Sequence, residues 1–391
     1  MSNAYRTKNS TGLINKNKKI NFSFNGHTYH GYEGDTLASA LISNGIHLIG
    51  RSFKYHRPRG FLGVGVEEPN AMVQLHEGNK SEPNIMATEV ELVEGLKAKS
   101  QNCWPSVQFD IGEVNNLLNR FFPAGFYYKT FMWPKSFWMK IYEPFIRKAA
   151  GMGVAPLQPD PDRYEHNYEH CDVLVVGSGP SGLASALAAA KNGARVILAE
   201  DKANFGGSLL TDEVTIGNMS GKEWANDTVA QLKSLPNVIM KKRSQVFGYY
   251  DHNFLTMIER CTDHQSLTSD LGPRQRLHRV RAQSVILATG AFERPLIFAN
   301  NDLPRIMLAS SVSAYINRYA VTPGEKLVVC TNNDNAYKTA FDWKSSINDQ
   351  VTIIDTRRAV QSQVIERAKA MRIKIIHGHG VIEAKGKFIT Q

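Results

Sequence analysis

One stretch, about two-fifths of the way along this chain of 391 residues, constrains the fold more than any other. The apolar run at 172–176 leads directly into the hexapeptide GSGPSG at 177–182, and an alanine-rich segment follows as far as Gly193. Short valine-rich runs are typical of buried parallel strands, and a glycine after an alanine-rich segment favours a helix C-terminus. A second apolar run at 195–199 then leads to Glu200. This order of strand, Gly-x-Gly-x-x-Gly, helix, strand and acid predicts a Rossmann-type βαβ unit.

The glycines and the acid of this unit have separate physical roles. Gly177 permits the tight turn out of the strand, Gly179 lets a pyrophosphate approach the backbone, and Gly182 lets helix and strand pack closely. The helix N-terminus offers free N–H groups to the phosphates. Glu200 can accept hydrogen bonds from an adenosine ribose and disfavours a 2′-phosphate. The unit is therefore predicted to bind NAD or FAD rather than NADP, although the cationic Lys202 weakens that distinction.

The first hundred residues predict a small domain of the β-grasp, ferredoxin-like type. Residues 1–19 are expected to form a flexible arm, and residues 20–101 the domain itself. Apolar and polar residues alternate at the start of that range, as in a half-buried strand, and Asn25-Gly26 favours a hairpin turn. A helix capped by Asp35 is predicted next. A hairpin followed by a helix is how such domains open.

This domain is predicted to carry no iron–sulfur cluster. A plant-type ferredoxin has its cluster loop where this chain has residues 61–73, and the cluster needs cysteine thiolates. Residues 46–102 contain no cysteine. His166 and His170 are four residues apart but have no third ligand in clear spacing, so we expect no metal site there either.

A basic loop at 51–60 contains Arg51, Lys54, Arg57 and Arg59. It admits two interpretations, an exposed charged loop or a contact with an anion or an acidic partner, because blocks of like charge occur in both. The residues alone do not separate them.

Residues 102–168 are predicted to form an aromatic-rich linker. Prolines at 123, 134 and 144 interrupt the aromatic residues, and lysines lie among them. An amphipathic membrane segment is one interpretation. A linker buried between domains or under another subunit is the other, and we favour it.

The rest of the chain predicts two nucleotide-type domains. Residues 169–320 form the Rossmann domain, and residues 321–391 an inserted second domain that is incomplete. In that second domain Asn332, Asn333 and Asn335 stand where phosphate-binding glycines would be. A hairpin-like segment is expected near the end of the chain. The predicted fold class is α/β: a cysteine-free β-grasp (2Fe-2S ferredoxin-like) domain, then a Rossmann-type FAD/NAD(P)-binding two-dinucleotide-domain fold, truncated.

Composition limits location and partners. No apolar stretch is long enough for a membrane span, and the polar, lysine-rich N-terminus does not resemble a secretory signal. The four cysteines are far apart and form no C-x-x-C pair, which fits a reducing cytoplasm. The net charge of +10 is compatible with nucleic acid, membrane or an acidic subunit. No nucleic-acid motif accompanies it, so we predict a cytoplasmic protein that does not bind nucleic acid.

Taken together, these elements resemble the α subunits of heterotetrameric sarcosine oxidases over essentially the whole chain. The resemblance rests on the cysteine-free ferredoxin-like domain, the glycine fingerprint and four short sequences, at 124–134, 249–251, 288–295 and 331–337. It implies that this nucleotide domain binds NAD. Matched by motif position, the cofactor-binding residues implied are Gly177, Gly179, Ser181, Gly182, Glu200, Asp201, Lys202, Ser208 and, less directly, Val246.

The resemblance also implies chemistry outside this chain. In the family, sarcosine is oxidatively demethylated to glycine with release of hydrogen peroxide and folate-linked capture of formaldehyde. The amine is oxidised at FAD in the β subunit, FMN lies between α and β, and γ and δ complete the complex. A tetrahydrofolate-dependent domain forms the C-terminal half of α. This chain lacks that half and is interpreted as the N-terminal portion of α, with no catalytic residue of its own.

Two alternatives remain open at this point. One is the α chain of a related amine or amino-acid dehydrogenase, such as an opine-oxidising or cyanide-producing enzyme. Those relatives usually keep cluster cysteines where this chain has Leu62, Glu67 and Asn70, which counts against it. The other is a non-catalytic nucleotide-binding scaffold.

Overall fold

The computed structural model of the chain consists of two compact units. The first comprises Met1–Asp160 and Glu293–Gln391, and the second Pro161–Phe292. Residues 293–320, which the sequence assigned to the Rossmann domain, therefore belong to the first unit. The structure describes residues 4–7, 12–265, 272–347, 350–358 and 362–386.

The first unit opens with the predicted hairpin, strands β1 (Asn15–Phe24) and β2 (His27–Glu33). Asn25 and Gly26 have φ values of 50° and 80°, the conformation that a two-residue type I′ turn requires. Strand β1 begins at Asn15, five residues earlier than the alternation of apolar residues indicates. Pairing with β2 thus extends the strand into sequence that is polar on both faces.

The described residues of the N-terminal arm are held in place, which corrects the expectation of a flexible arm. Arg6 forms an ion pair with the buried Asp35, with Nη2 and Oδ2 2.7 Å apart. Its Nη1 also donates to the carbonyl of Tyr319 at 2.7 Å. Because a buried carboxylate needs a cationic partner, Arg6 ties the arm to the core.

Helix α1 (Leu37–Ser43) is buried along its whole length. Its N-cap is Thr36, which forms a capping box with Ser39, so the predicted cap at Asp35 is wrong. Asp35 accepts a hydrogen bond from the Ser39 hydroxyl at 2.7 Å and is committed to Arg6. The neighbouring hydroxyl is thereby left to cap the helix.

A mixed five-stranded sheet completes the β-grasp domain, in the order β2-β1-β7-β5-β6. Its core includes the inward-facing residues Phe22 and Phe24 and the apolar residues of α1. The strands that follow α1 are β3 (Gly50–Arg51), β4 (Pro58–Arg59), β5 (Met72–Leu75), β6 (Glu82–Met86) and β7 (Leu96–Ser100), of which β3 and β4 form a separate pair.

The helices of the aromatic-rich segment that follows are all short. Prolines and single turns of 3₁₀- or π-helix separate them. They are α2 (Val114–Leu117), α3 (Phe126–Thr130) and α4 (Glu143–Ala150).

The second unit is built on a six-stranded sheet in the order β12-β9-β8-β15-β14-β13. Strands β8 and β15 are 13 residues long and run parallel, whereas β13, β14 and β15 form an antiparallel meander. Its elements are β8 (Tyr164–Val176), α5 (Pro180–Lys191), β9 (Val196–Ala199), β10 (Thr215–Ile216), β11 (Met219–Ser220), α6 (Gly221–Ser234), β12 (Val238–Lys241), β13 (Ser244–Tyr250), β14 (Phe254–Arg260) and β15 (Gln275–Leu287).

Residues 293–386 return to the first unit. Tyr315 of α7 is fully buried in the core of the β-grasp domain, and its hydroxyl donates to the carbonyl of Gly63 at 3.1 Å. A three-stranded parallel sheet, β16-β17-β18, forms the predicted second nucleotide-type fold. The elements are α7 (Ala309–Tyr319), β16 (Leu327–Thr331), α8 (Tyr337–Ile347), β17 (Val351–Asp355), α9 (Gln363–Ala370) and β18 (Lys374–His377).

The hairpin-like segment expected near the end of the chain lies partly outside the described residues. Within them, Glu383 makes an isolated parallel bridge to Ala299.

Candidate dinucleotide-binding site

The loop between β8 and α5 shows why two of its three glycines are required. Gly177 has φ 95°, and a Cβ there would lie 2.3 Å from the carbonyl oxygen of Ala288. A Cβ on Gly182 would lie 1.9 Å from the carbonyl oxygen of Gly177. Both distances are far inside van der Waals contact, so any side chain at either position would displace the β8–α5 packing.

Gly179 differs because a Cβ on it would meet no protein atom within 4 Å. It is the N-cap of α5, with φ −65° and ψ −175°, and no side chain caps the helix there. Pro180 occupies the first turn, and Ser181 beside it is exposed. Open space therefore lies beside Gly179 at a helix N-terminus with uncapped N–H groups, which suits a phosphate.

Glu200 follows β9 and is 6% exposed. Its Oε2 accepts hydrogen bonds from the N–H of Ser178, at 3.0 Å, and from the Ser178 hydroxyl. Its Oε1 accepts from the N–H of Lys202 at 3.0 Å. The acid predicted to bind the ribose is thus fixed against the glycine loop.

Burial gives Glu200 a pKa unlike that of an ordinary surface acid. Burial raises its pKa to about 7, and the neighbouring Asp201 carboxyl adds to the increase. The N–H of Lys202 and the hydroxyl of Ser178 act in the opposite direction but do not outweigh burial. Glu200 consequently exchanges a proton close to neutral pH.

Ser178 organises the site, and sequence reasoning missed it. Its fully buried hydroxyl donates to Glu200, and its carbonyl and hydroxyl oxygens accept from the N–H of Gly206 at 3.0 and 3.2 Å. A Cβ on Gly207 would lie 2.7 Å from the Cα of Gly179, so the double glycine packs directly on the loop. The only sequence signal was a small hydroxyl residue between the first two glycines.

The other predicted residues also lie in the second unit. Strand β13 starts beside Glu200, because the N–H of Ser244 donates to the Glu200 carbonyl at 2.8 Å. The carbonyl of Asp201 accepts from Arg260 at 2.7 Å, and Lys202 lies next to it. Val246 lies in β13, half-buried and paired with Met257 of β14. Ser208 is exposed in the 3₁₀ turn of the double glycine.

The loop at 61–73 of the first unit is organised by carboxylates. Both oxygens of the buried Glu68 accept backbone N–H groups, Oε2 from Leu62 and Gly63 at 2.6 and 2.7 Å and Oε1 from Asn70 and Ala71 at 2.6 and 3.1 Å. An internal anion therefore binds the amides that close this loop. Burial raises the pKa of Glu68, and the four N–H groups oppose that increase.

The basic loop at 51–60 matches neither of its two interpretations. Arg51 is 5% exposed and donates to the carbonyl of Val107 at 2.9 Å. Arg57 forms a bidentate ion pair with Asp302, and Arg59 contacts the same carboxylate. These guanidinium groups bind to partners within the first unit.

In the described part of the chain, no group of three or more His, Cys, Asp or Glu side chains could hold a metal ion. None of the helices described there combines the length and the apolarity that a membrane crossing needs.

Fold and site together define a nucleotide-binding oxidoreductase that follows a ferredoxin-like domain. The chain belongs to the pyridine nucleotide-disulphide oxidoreductase family, whose sequence model matches residues 171–389. The model of the 2Fe-2S iron-sulfur cluster binding domain matches residues 17–103. The predicted fold class, a ferredoxin-like domain followed by an FAD/NAD-binding domain, is confirmed.

The most informative relatives are sarcosine oxidase α subunits, which confirms the predicted resemblance. The chain is 48% identical over 367 residues to sarcosine oxidase subunit alpha of Rhizobium meliloti, covering 94% of this chain and 37% of that protein. It is 34% identical over 377 residues to the same subunit of Corynebacterium sp. (strain P-1), covering 95% of this chain and 34% of that protein. The chain thus spans about a third of the length of these relatives.

One solved structure supports the fold. L-proline dehydrogenase from P. horikoshii aligns with a TM-score of 0.59 at 18% identity, over 92% of this chain and 57% of that one. At this identity the likeness concerns the fold only.

The residues present do not fit the cluster that the N-terminal family implies. The loop that would hold it contains Leu62, Glu67 and Asn70 and no cysteine, and Glu68 already binds its amides. A [2Fe–2S] cluster requires four strong ligands, usually thiolates.

Proposed function

We propose that this chain is the NAD-binding N-terminal part of a sarcosine oxidase α subunit. The single observation that carries the proposal is the geometry at Gly179 and Glu200, with open space at an uncapped helix N-terminus and a fixed carboxylate after the neighbouring strand. The similarity to sarcosine oxidase α subunits over 94% of the chain supports the same assignment.

The choice of NAD over NADP rests on charge. A 2′-phosphate beside Glu200 and Asp201 would place further negative charge next to two acidic side chains, of which Glu200 is buried. Ribose hydroxyls can instead donate to the carboxylate. The same chemistry admits the adenosine half of FAD, so the experiment must compare the two cofactors.

In the proposed complex, the chain contributes a nucleotide site while the amine is oxidised elsewhere. FAD and FMN would be bound through the β subunit and the α/β interface, and tetrahydrofolate through a further part of α. The β, γ and δ subunits would be the partners, and the location cytoplasmic. The net reaction would convert sarcosine to glycine, with folate-linked formaldehyde capture and hydrogen peroxide formation.

Calorimetric titration of the assembled complex with NAD, FAD and NADP tests the nucleotide assignment. We expect NAD to bind and NADP to bind more weakly. Glu200→Ala should weaken NAD by about 1.5–3 kcal/mol, the range for hydrogen bonds to a charged group. Asp227→Asn, an exposed acid on α6, is the matched control and should leave the affinity unchanged. FAD binding that Glu200→Ala weakens, together with no NAD binding, would overturn the choice of cofactor.

Turnover separates the oxidase from a non-catalytic scaffold. The assembled complex should form hydrogen peroxide in a sarcosine-dependent manner. A complex that binds NAD but never oxidises sarcosine would leave only the scaffold function.

A further inference from the structure

Residues 104–157 expose an unusual density of large apolar side chains. Single exposed apolar residues are normal, but a concentration of them marks an interaction site. Six side chains, each between 69% and 83% exposed, define what we call the aromatic surface: Leu117, Phe121, Trp133, Met139, Phe145 and Val154.

This segment is held in place by residues that precede it in the same unit. The Tyr55 hydroxyl donates to the carbonyl of Phe122 at 2.6 Å, and the N–H of Asn102 donates to the carbonyl of Gly151 at 2.8 Å. The segment is therefore fixed at its middle and at its end. A prearranged surface loses little conformational entropy on binding, which favours a specific contact.

The backbone of the segment argues against a lipid bilayer as the occupant. Its helices are four to eight residues long, and proline-containing turns lie between them. Lipid tails offer no hydrogen-bond partners to irregular backbone, so such a segment does not enter hydrocarbon. Aromatic residues and methionine are, by contrast, enriched at protein interfaces.

Charge indicates what kind of protein surface would fit. Glu113 and Glu143 are half-buried acids of the segment, and Asp110 is buried beside His56. Interfaces pair surfaces of complementary charge. The exposed charged side chains of the segment are basic: Arg120, Lys129, Lys135, Lys140 and Lys148, together with Arg147, which forms an ion pair with Glu143.

We infer that the aromatic surface is the docking site for another protein subunit, whose contacting face has an apolar centre surrounded by Asp and Glu. The inference rests on the proposed membership of an oxidase complex, but not on NAD binding. A chain that binds no nucleotide could still dock here, so the two proposals fail separately.

Footprinting of the intact assembly provides the direct test. The chain is tagged in its own host, the assembly is isolated, and hydroxyl radicals label its side chains. Leu117, Phe121 and Trp133 should be oxidised at least about tenfold more slowly than in the full chain expressed alone. The exposed Ile382, which lies outside the segment, serves as an internal reference in both samples and should not change.

A carbodiimide cross-link tests the predicted acidic rim, because this reagent joins an amine to a carboxylate only where the two touch. Lys135 or Lys140 should link to Asp or Glu of a different subunit. Links confined to carboxylates of the same polypeptide, full labelling of the surface in the assembly, or isolation of the chain without a partner would each overturn the inference.

Variants separate docking from folding. Lys135→Glu with Lys140→Glu should weaken association by about threefold to tenfold, as expected for two exposed ion pairs. Lys19→Glu with Lys374→Glu, two exposed lysines outside the segment, should have no effect. Trp133→Ser should weaken association further without lowering the melting temperature. If these variants instead abolish self-association, or binding to phosphatidylserine vesicles, the occupant is a second copy or a membrane, and the inference is wrong.

Discussion

Glu68 offers the sharpest test of the energetics of the first unit. It is 2% exposed, and its two oxygens accept four backbone N–H groups, from Leu62, Gly63, Asn70 and Ala71. A buried N–H left without a partner costs about 1–3 kcal/mol. Glu68→Ala leaves two buried N–H groups, those of Gly63 and Ala71, without an acceptor, so the expected loss is about 2–6 kcal/mol. The N–H groups of Leu62 and Asn70 are only partly buried, and water can satisfy them.

Glu68→Gln reduces the number of hydrogen-bond acceptors but leaves the size of the side chain nearly unchanged. Its amide keeps one oxygen for one pair of N–H groups and turns an NH₂ donor toward the other pair. We expect about half of the loss seen for alanine. Glu67→Gln is the matched control: Glu67 accepts from the N–H groups of Val64 and Gly65 but is half-exposed, so water can replace it and the loss should stay below about 1 kcal/mol.

Urea unfolding and amide hydrogen exchange together measure these effects. A loss of about 2–6 kcal/mol is a large part of a typical net stability of about 5–15 kcal/mol. In Glu68→Gln, the two amides that face the NH₂ group should exchange much faster than in the wild type. If Glu68→Gln is as stable as Glu67→Gln and those amides stay protected, the carboxylate does not hold the loop and the reasoning is wrong.

Three further predictions concern other parts of the chain. Gly179→Ala should leave the melting temperature unchanged but abolish NAD binding, because its Cβ meets only open space, whereas Gly182→Ala should unfold the βαβ unit; calorimetry and thermal melts compare the two. The buried His56 contacts Asp110 through Nδ1 at 2.6 Å and the Ala149 carbonyl through Nε2 at 2.9 Å, and these contacts, Asp110 foremost, raise its pKa. The stabilisation of the folded state by protonated His56 is therefore complete below about pH 6.5 and is lost as pH rises through the raised pKa. Amide exchange in α4 should accelerate with pH by more than the intrinsic exchange rate does. Asp110→Asn should make this response to pH weaker. Purified protein should contain no stoichiometric iron or acid-labile sulfide, and finding both by elemental analysis would refute the prediction that this domain carries no cluster.

Local sequence patterns predicted the elements whose formation depends mainly on residues close together in the sequence. The βαβ unit around GSGPSG and the hairpin at Asn25-Gly26 both follow from hydrophobic period and turn chemistry. Strand β8 was predicted too short, because the residues from Tyr164 to His170 are polar and those up to Tyr168 were assigned to a linker. They pair residue by residue with β15, and such a ladder forms whatever the local polarity.

Sequence reasoning missed contacts at two loops, the glycine-rich loop after β8 and the basic loop at 51–60. All of these contacts join residues that are distant in sequence. Nothing in the sequence near Ser178 indicates that its hydroxyl meets Glu200, 22 residues later. Asp302 likewise lies more than 240 residues from the arginines it binds, so the basic loop at 51–60 could not be assigned an internal partner. Charge patterns show that a partner is needed, but only the fold determines which one is near.

Glu68 and Glu200 each hold a loop through backbone N–H groups, yet the two acids should respond differently to a ligand. Each oxygen of Glu68 already accepts two N–H groups, so no acceptor capacity is left. Glu200 has another acid, Asp201, among its hydrogen-bond partners, and two carboxyls can share a bond only while one of them carries a proton.

A ribose hydroxyl can replace that shared proton as the donor to Glu200, because it supplies a hydrogen bond without a charge. NAD binding near neutral pH should therefore release a proton, since Glu200, with a pKa of about 7 in the free protein, becomes fully ionised in the complex. Calorimetric titrations in two buffers of different ionisation enthalpy measure the number released. We expect a fraction of one proton at pH 7, close to none at pH 9, and none at any pH in Glu200→Gln. Uptake of a proton, or release that persists in Glu200→Gln, would show that NAD contacts a different acid.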